Sequence, residues 1–210
     1  MDAMEELRIA IYAGDAQKVE SITLESLKNH INPKVILDEG LIMGMEKVGT
    51  DFRCGDLFIP EVLLAAQAMK ASMSVLRPLF VENGIEPIGR IVIGTVEGDL
   101  HDIGKNLVGM MLEGGGFEVI DLGVDVAPEK FIEATRLYNP RVLCMSALLT
   151  TTMDNMKKTI QAVNEAGFRQ TVKIIVGGAP VTPQYAHDIG ADGFAPDAGS
   201  AVMTVKELLM

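Results

Sequence analysis

The spacing of apolar residues differs between two parts of the chain. In the first 80 residues, apolar positions recur every three or four residues, the period of an amphipathic helix. Three such faces comprise Met4, Leu7 and Ile11; Leu37, Leu41, Met45 and Val48; and Ala66, Met69, Met73 and Leu76. Because only short links separate these helices, the pattern predicts a small antiparallel four-helix bundle over residues 1–84.

Helix start and stop residues agree with this pattern. Gly14 is suited to a helix C-terminus, and Asp15 follows it as the N-cap of the next helix. Asn32 is a second suitable N-cap, with Pro33 at the first helical position. A long fourth helix is predicted to begin at about Pro60.

The pattern changes after a polar segment, residues 85–90, whose Gly and Pro predict a linker. Beyond it, short apolar runs typical of buried strands alternate with helical stretches. The runs are RIVIGTV, EVIDLGV, RVLCMSALL, VKIIVGG and DGFAP, and the helical stretches are about 102–113, 128–138, 153–167, 184–189 and 198–209. This alternation predicts an α/β doubly wound (Rossmann-like) domain over residues 91–210, with a five-stranded parallel sheet.

Charge and composition exclude several functions. The net charge of −11 argues against binding to nucleic acid or to an anionic membrane. The chain has no apolar run of 18 residues, and its acidic start lacks the order of a signal peptide. Cys54 and Cys144 match no metal or redox spacing. A cytoplasmic protein with free thiols is expected.

A ligand is expected at the turn after the first predicted strand, EGDLHDIGKN, because such sheets bind ligands at the carboxyl ends of their strands. A Walker A phosphate loop is one interpretation, but Gly98 and Gly104 are one residue too far apart, and Asn106 follows Lys105. An aspartyl receiver or a simple metal site is a second interpretation. The turn has too few ligands for a structural zinc, and no Asp follows the third strand before Asp154.

The third interpretation is a single axial histidine. A metal-bound imidazole usually donates its other N–H to a carboxylate, and Asp99-x-His101 provides both groups within one turn. With one protein ligand, the metal must arrive with its others, as in a macrocycle.

The surrounding motifs support this third interpretation. DLHDIG fits D-x-H-x-x-G, and GDLHDIGKNLVG resembles the corrinoid-binding domain of cobalamin-dependent methionine synthase. It is equally similar to the corrinoid proteins of methyltransferase systems for methanol, methylamines and methoxylated aromatics. The segments SALLTTT and VGGAP match motifs of these families after strands three and four, and GMEKVGTDFRCGDLFIPEVLLAAQAM resembles their helical cap. The resemblance therefore covers nearly the whole chain.

The resemblance implies a cobalamin or related corrinoid bound base-off, with His101 as the lower cobalt ligand. Asp99 would accept the proton-bearing nitrogen of His101, and Thr152 would complete the relay. The implied cofactor-binding residues are Gly98, Asp99, His101, Asp102, Ile103, Gly104, Ser146, Leu148, Thr150, Gly177 and Gly178, with Phe52, Ile59 and Val62 from the cap.

The resemblance also implies a function. Cobalt(I) would take a methyl group from a substrate-specific methyltransferase, and methyl-cobalt(III) would pass it to a second methyltransferase of the tetrahydrofolate or coenzyme M type. The chain would be the corrinoid subunit of a multi-component methyltransferase, without complete turnover alone, and would meet a corrinoid-reactivating protein. The alternative is a cobalamin-based sensor or stand-alone cobalamin-binding protein. The sequence names neither the methyl donor nor the acceptor.

Overall fold

The computed structural model describes residues 2–84 and 86–210, which form two compact units. One unit comprises Met1–Ile88 with Glu113–Gly116, and the other comprises Gly89–Leu112 with Phe117–Met210. Met1, the start of the predicted helical domain, and Ile85, the start of the predicted linker, lie outside the described residues.

The first unit is helical, as predicted. Its elements are α1 (Ala3–Tyr12), α2 (Ala16–Lys28), α3 (Pro33–Val35), a π-helical segment (Ile36–Ile42), α4 (Met43–Cys54) and α5 (Ile59–Asn83). Because α3, the π-helical segment and α4 follow one another without a break, the described residues of this unit form four consecutive helical stretches. Leu7, Ile11, Leu41, Val48 and Leu76 from the predicted apolar faces are fully buried.

The predicted caps are present. The side chain of Asp15 accepts a hydrogen bond from the backbone N of Lys18 at 3.0 Å, and that of Asn32 accepts one from the N of Lys34 at 2.8 Å. Each cap satisfies one of the free N–H groups of a first helical turn.

The second unit alternates strands and helices in the predicted order. Its elements are β1 (Arg90–Thr95), α6 (Ile103–Gly114), β2 (Glu118–Asp121), α7 (Pro128–Tyr138), β3 (Val142–Ser146), α8 (Asp154–Glu165), β4 (Lys173–Gly177), α9 (Pro183–Asp188), β5 (Gly193–Ala195) and α10 (Ala198–Leu209). The predicted fold class is therefore confirmed. In the part of the chain that the structure describes, every helix is too short or too polar to traverse a lipid bilayer.

The five strands form one parallel sheet in the order β2-β1-β3-β4-β5. The chain leaves β1 towards one edge and returns to β3 on the other side, so the strand order reverses between β1 and β3. In open parallel sheets, ligands bind outside the carboxyl edge at such a reversal. Val92, Leu143, Ile174 and Phe131 are fully buried in the core of this unit.

Candidate functional site

Three loops meet at the carboxyl edge of the sheet, where the strand order reverses. They follow β1 (residues 96–102), β2 (122–127) and β3 (147–153). Val96 of the first loop pairs with Val126 of the second, and its backbone N donates to the carbonyl oxygen of Ser146 in β3 at 3.0 Å. The edge is therefore a connected backbone network rather than a set of separate turns.

Asp99 lies at the centre of this network and is fully buried. Its Oδ1 accepts hydrogen bonds from the backbone N of His101 at 3.1 Å and lies 2.7 Å from His101 Nδ1. Its Oδ2 accepts from the N of Leu148 at 2.7 Å, from the N of Leu149 at 3.2 Å and from Thr152 Oγ1 at 2.8 Å. A buried carboxylate is stable only with such partners, and Asp99 has five.

These contacts determine the charge of Asp99. Burial raises the pKa of its carboxyl, but hydrogen bonds from the Leu148 N–H, from His101 and from Thr152 outweigh burial. The pKa of Asp99 therefore lies well below its ordinary value, and the group is ionised at neutral pH. A carboxylate only accepts hydrogen bonds, so Nδ1 of His101 must carry the proton.

The imidazole of His101 is held on one side and open on the other. Its side chain is 50% exposed, and Nε2 has no hydrogen-bond partner among the residues that the structure describes. Thr95, fully buried at the end of β1, donates from Oγ1 to the carbonyl oxygen of His101 at 2.8 Å. Ring and backbone are thus both fixed, and in the neutral ring the lone pair of Nε2 is available to a metal.

Thr152 is buried and ties the loop after β3 to Asp99. Its hydroxyl lies 2.8 Å from Asp99 Oδ2 and 2.9 Å from the carbonyl oxygen of Leu149. The hydroxyl has one hydrogen, and an ionised carboxylate is the stronger of the two acceptors. The structure therefore brings the three predicted relay residues, Asp99, His101 and Thr152, into hydrogen-bonding contact.

The surroundings of His101 are apolar and exposed. Leu100 and Ile103 are 71% and 75% exposed, and Leu148 and Leu149 are each 42% exposed. Large apolar side chains grouped at one exposed place mark an interaction site. A Cβ added at Gly104 would meet no atom within 4 Å, so the first turn of α6 is also open to a ligand. Asp102 is exposed and accepts from Asn106 Nδ2 at 3.1 Å.

The two glycines predicted to bind the cofactor at the end of β4 are required by the protein's own backbone. A Cβ on Gly178 would lie 1.9 Å from the carbonyl oxygen of Ala147, and one on Gly177 would lie 2.8 Å from that of Ala195. Gly178 also has φ +124°, in the region that favours glycine. Both glycines are therefore required by the close approach of neighbouring backbone, whatever ligand lies nearby. Ser146 pairs with Gly177 in the sheet, and Thr150 is exposed in the loop after β3.

The three residues predicted from the helical domain differ in exposure. Ile59 is 43% exposed and Phe52 is half-buried. Val62 is fully buried among the helices, so in this conformation it offers no surface to a ligand. Phe58, the neighbour of Ile59, is 67% exposed and presents far more apolar surface than Val62. Val62 packs inward because it shares the buried face of α5 with Met69, two helical turns further on.

Sequence reasoning missed three residues that support the site. Thr95 holds the His101 carbonyl, Asp125 in the loop after β2 contacts Gly98, and Lys105 in α6 is only 3% exposed and ion-paired with Asp121. Their positions in the sequence could have indicated them, because each lies at the carboxyl end of a predicted strand or at the start of the helix that follows one.

Both parts of the chain match family models described as B12 binding domain, over residues 3–77 and 89–206. A dimethylamine corrinoid protein of Methanosarcina barkeri is 43% identical over 209 residues, which cover 99% of this chain and 98% of the relative. A crystal structure of a cobalamin-binding protein from Desulfitobacterium hafniense has a TM-score of 0.83 and 31% identity, covering 99% and 98% of the two chains. The methanol:cobalamin methyltransferase complex of Methanosarcina barkeri contains a chain with a TM-score of 0.86 and 27% identity, covering 99% and 79%.

Fold and matches together define a protein built from two B12 binding domains, one helical and one α/β. The chain belongs to the family of corrinoid proteins that share this architecture.

Proposed function

We propose that this chain is a corrinoid methyl carrier in which Nε2 of His101 is the lower ligand of cobalt. The corrinoid would bind base-off, with its own nucleotide base displaced by the imidazole. It would receive a methyl group from a substrate-specific methyltransferase and deliver it to a second, methyl-accepting one. The dimethylamine corrinoid protein and the chain in the methanol:cobalamin methyltransferase complex support this role.

One observation carries the proposal: Asp99 Oδ1 lies 2.7 Å from Nδ1 of a His101 ring whose Nε2 is open. This is the arrangement of a metal-binding histidine with its orienting carboxylate. A solvent-exposed loop histidine needs no fully buried carboxylate beside it, and Asp99 is held by four further hydrogen bonds.

The surroundings also fit a corrinoid. A macrocycle supplies the remaining metal ligands, so a site that offers one imidazole nitrogen is sufficient. Its broad face needs apolar contact, which Leu100, Ile103, Leu148 and Leu149 offer around His101. The open space at Gly104 leaves room for the ring beside α6.

When bound, the corrinoid supplies the cobalt centre that takes up and releases the methyl group. The protein's part is to hold a proton and to orient a ring. Ionised Asp99 keeps the proton on Nδ1, and Thr152 donates to the other carboxylate oxygen. A second proton on the ring must therefore go to Nε2, where it competes with a metal for the same lone pair.

The methyl donor is proposed only as a class of small methylated compounds. The relatives are named for dimethylamine and methanol, and the acceptor would be a thiol or a pterin, such as coenzyme M or tetrahydrofolate. A protein that returns oxidised cobalt to its active state would be a third partner.

The experiment is a two-stage transfer of a labelled methyl group. The full chain is reconstituted with hydroxocobalamin, reduced, and incubated with labelled dimethylamine or methanol and the corresponding methyltransferase. The label is counted on the protein, and again on the acceptor after a second methyltransferase is added. Free cobalamin and His101→Ala are the controls.

The proposal predicts label on the wild-type protein and then on the acceptor, with much less transfer through His101→Ala. Stable cobalamin binding without transfer in either stage, together with an oligomeric state that changes on illumination, would overturn it in favour of a sensor.

A further inference from the structure

Asp125 has an unusual backbone conformation for a residue with a side chain. It lies in the loop between β2 and α7 with φ +52°, in the left-handed region. Only His30 and Asn139 share a positive φ among the non-glycine residues that the structure describes. This region is unfavourable for a residue with a Cβ, so the contacts of Asp125 must stabilise it there.

Those contacts lead directly to the loop that carries Asp99. Oδ1 of Asp125 accepts a hydrogen bond from the backbone N of Gly98 at 2.6 Å. The backbone N of Asp125 donates to the carbonyl oxygen of Asp99 at 3.0 Å. One residue from the neighbouring loop therefore holds the Gly98–Asp99 dipeptide at both ends, and Gly98 is itself in the left-handed region with φ +79°.

The loop that carries Asp125 is firmly anchored. The N of Thr95 donates to the carbonyl oxygen of Gly123 at 3.0 Å, and the N of Val126 donates to that of Thr95 at 3.0 Å. At the loop's start, Asp121 pairs with Lys105, an ammonium group that is almost completely buried in α6. The loop whose Asp125 accepts the hydrogen bond from Gly98 is thus itself held by contacts with β1 and α6.

We infer that Asp125 is a positioning residue that holds the Gly98–Asp99 dipeptide and so aligns Asp99 with the His101 ring. The inference rests on the proposed function, because alignment of that ring matters only if Nε2 is a ligand. The hydrogen bonds of Asp125 to this loop go to the backbone of Gly98 and Asp99. It acts through Asp99, whose Oδ1 is 2.7 Å from Nδ1 of His101.

Three substitutions separate the hydrogen bond from the backbone conformation. Asp125→Gly removes the acceptor but tolerates φ +52°. Asp125→Ala removes the acceptor and also places alanine in a backbone conformation that is unfavourable for it. Asp125→Asn keeps an acceptor oxygen and tolerates the left-handed region, so it serves as the rescue. Asn139→Gly is the matched control, because Asn139 has φ +46° at the end of α7.

The first measurement is made without any corrinoid. Amide hydrogen exchange of Gly98, followed by NMR in the apoprotein, reports the Gly98–Asp125 hydrogen bond directly. We expect exchange to be at least about tenfold faster in Asp125→Gly than in the wild type, and nearly unchanged in Asp125→Asn and Asn139→Gly.

The second measurement is the absorption spectrum at saturating hydroxocobalamin, with its dissociation constant. In Asp125→Gly we expect a smaller histidine-ligated fraction and on the order of tenfold weaker binding, with both recovered in Asp125→Asn. A merely structural role would lower stability in urea without changing the spectrum of the folded, saturated protein.

The outcomes separate the two proposals. If the wild-type spectrum depends on His101 and Asp125→Gly keeps both that spectrum and the wild-type affinity, the positioning role is wrong and the proposed function stands. If the wild-type spectrum does not depend on His101, the proposed function fails and the positioning role fails with it. Unchanged Gly98 exchange in Asp125→Gly would by itself overturn the inference.

Discussion

The buried carboxylate of Asp99 lies 2.7 Å from Nδ1 of His101, whose side chain is half exposed. Asp99 lies in the interior at the carboxyl edge of the sheet, and His101 lies at the surface of the same edge. Backbone N–H groups of Leu148 and Leu149 hold Asp99 from the loop after β3, 49 and 50 residues further along the chain. The pair is therefore a product of the whole fold, although its members are two residues apart.

Acid is expected to destabilise the wild type more steeply than Asp99→Asn. Burial raises the pKa of Asp99, but its hydrogen bonds with Leu148, His101 and Thr152 hold that pKa below the ordinary value. A carboxyl with a pKa depressed by folding contributes stability above its unfolded pKa of about 3.9 and loses it as pH falls through the folded pKa. The free energy of unfolding should thus fall faster with acid in the wild type, below about pH 4.

Urea denaturation of both proteins between about pH 5 and pH 3 measures the two slopes. Exposed Asp188→Asn is the control and should follow the wild type. Parallel slopes for the wild type and Asp99→Asn would contradict the ionised, hydrogen-bonded state of Asp99.

Thr152→Val is expected to lower the free energy of unfolding by about 1.5 kcal/mol, because it removes a hydrogen bond to a buried carboxylate while keeping the side-chain shape. Thr152→Ser retains the hydroxyl and should retain most of that stability. Urea unfolding of the three apoproteins tests this. No loss in Thr152→Val together with a clear loss in Thr152→Ser would show that the methyl group, rather than the hydroxyl, is what matters.

Gly104→Ala is expected to act in opposite directions on the apoprotein and on cobalamin binding. The added Cβ meets no atom within 4 Å, and alanine favours the helix, so the apoprotein should gain about 0.5 kcal/mol. If a corrin lies beside this turn of α6, the same methyl group should weaken hydroxocobalamin binding on the order of tenfold. Thermal unfolding and equilibrium titration measure the two effects, and unchanged affinity would place the corrin elsewhere.

Gly178→Ala is expected to destabilise the apoprotein by about 3 kcal/mol or more, because its Cβ would overlap the Ala147 carbonyl oxygen in a backbone conformation already unfavourable for alanine. Gly167→Ala is the matched control. Gly167 has φ +82° but open space around it, so about 1 kcal/mol is expected there. Similar losses in both variants, measured by urea unfolding, would mean that the contact with Ala147 relaxes at little cost.

The fold could be predicted from the sequence because its signals are local. The change from helical to strand-like apolar spacing near residue 90 separates the two parts, and N-caps such as Asp15 and Asn32 mark helix starts. For the same reason, the predicted ends of the helices in the second part lie within a residue or two of the observed ends. The passage from α3 to α4 was predicted as one helix, because its apolar face continues across Gly40 and Gly44, which pack against α1 instead of ending a helix. Its π-helical segment had no such signal in the sequence.

The site was predictable only where its residues are close in sequence or belong to a known motif. Asp99 and His101 share one turn, and the motif also led to Thr152. Asp125 and Thr95 were missed because their roles depend on which backbone groups neighbouring loops present to them. Val62 was selected by its sequence position, but the packing of α5 turns it inward.

The most direct test of a histidine-ligated corrinoid is the ultraviolet–visible spectrum of the full chain reconstituted with hydroxocobalamin, compared with that of His101→Ala. His187→Ala is a matched control, since His187 is exposed on α9. We predict stoichiometric binding with a band shift in the wild type and in His187→Ala, and loss of that shift in His101→Ala. A spectrum that His101→Ala leaves unchanged would contradict ligation by His101.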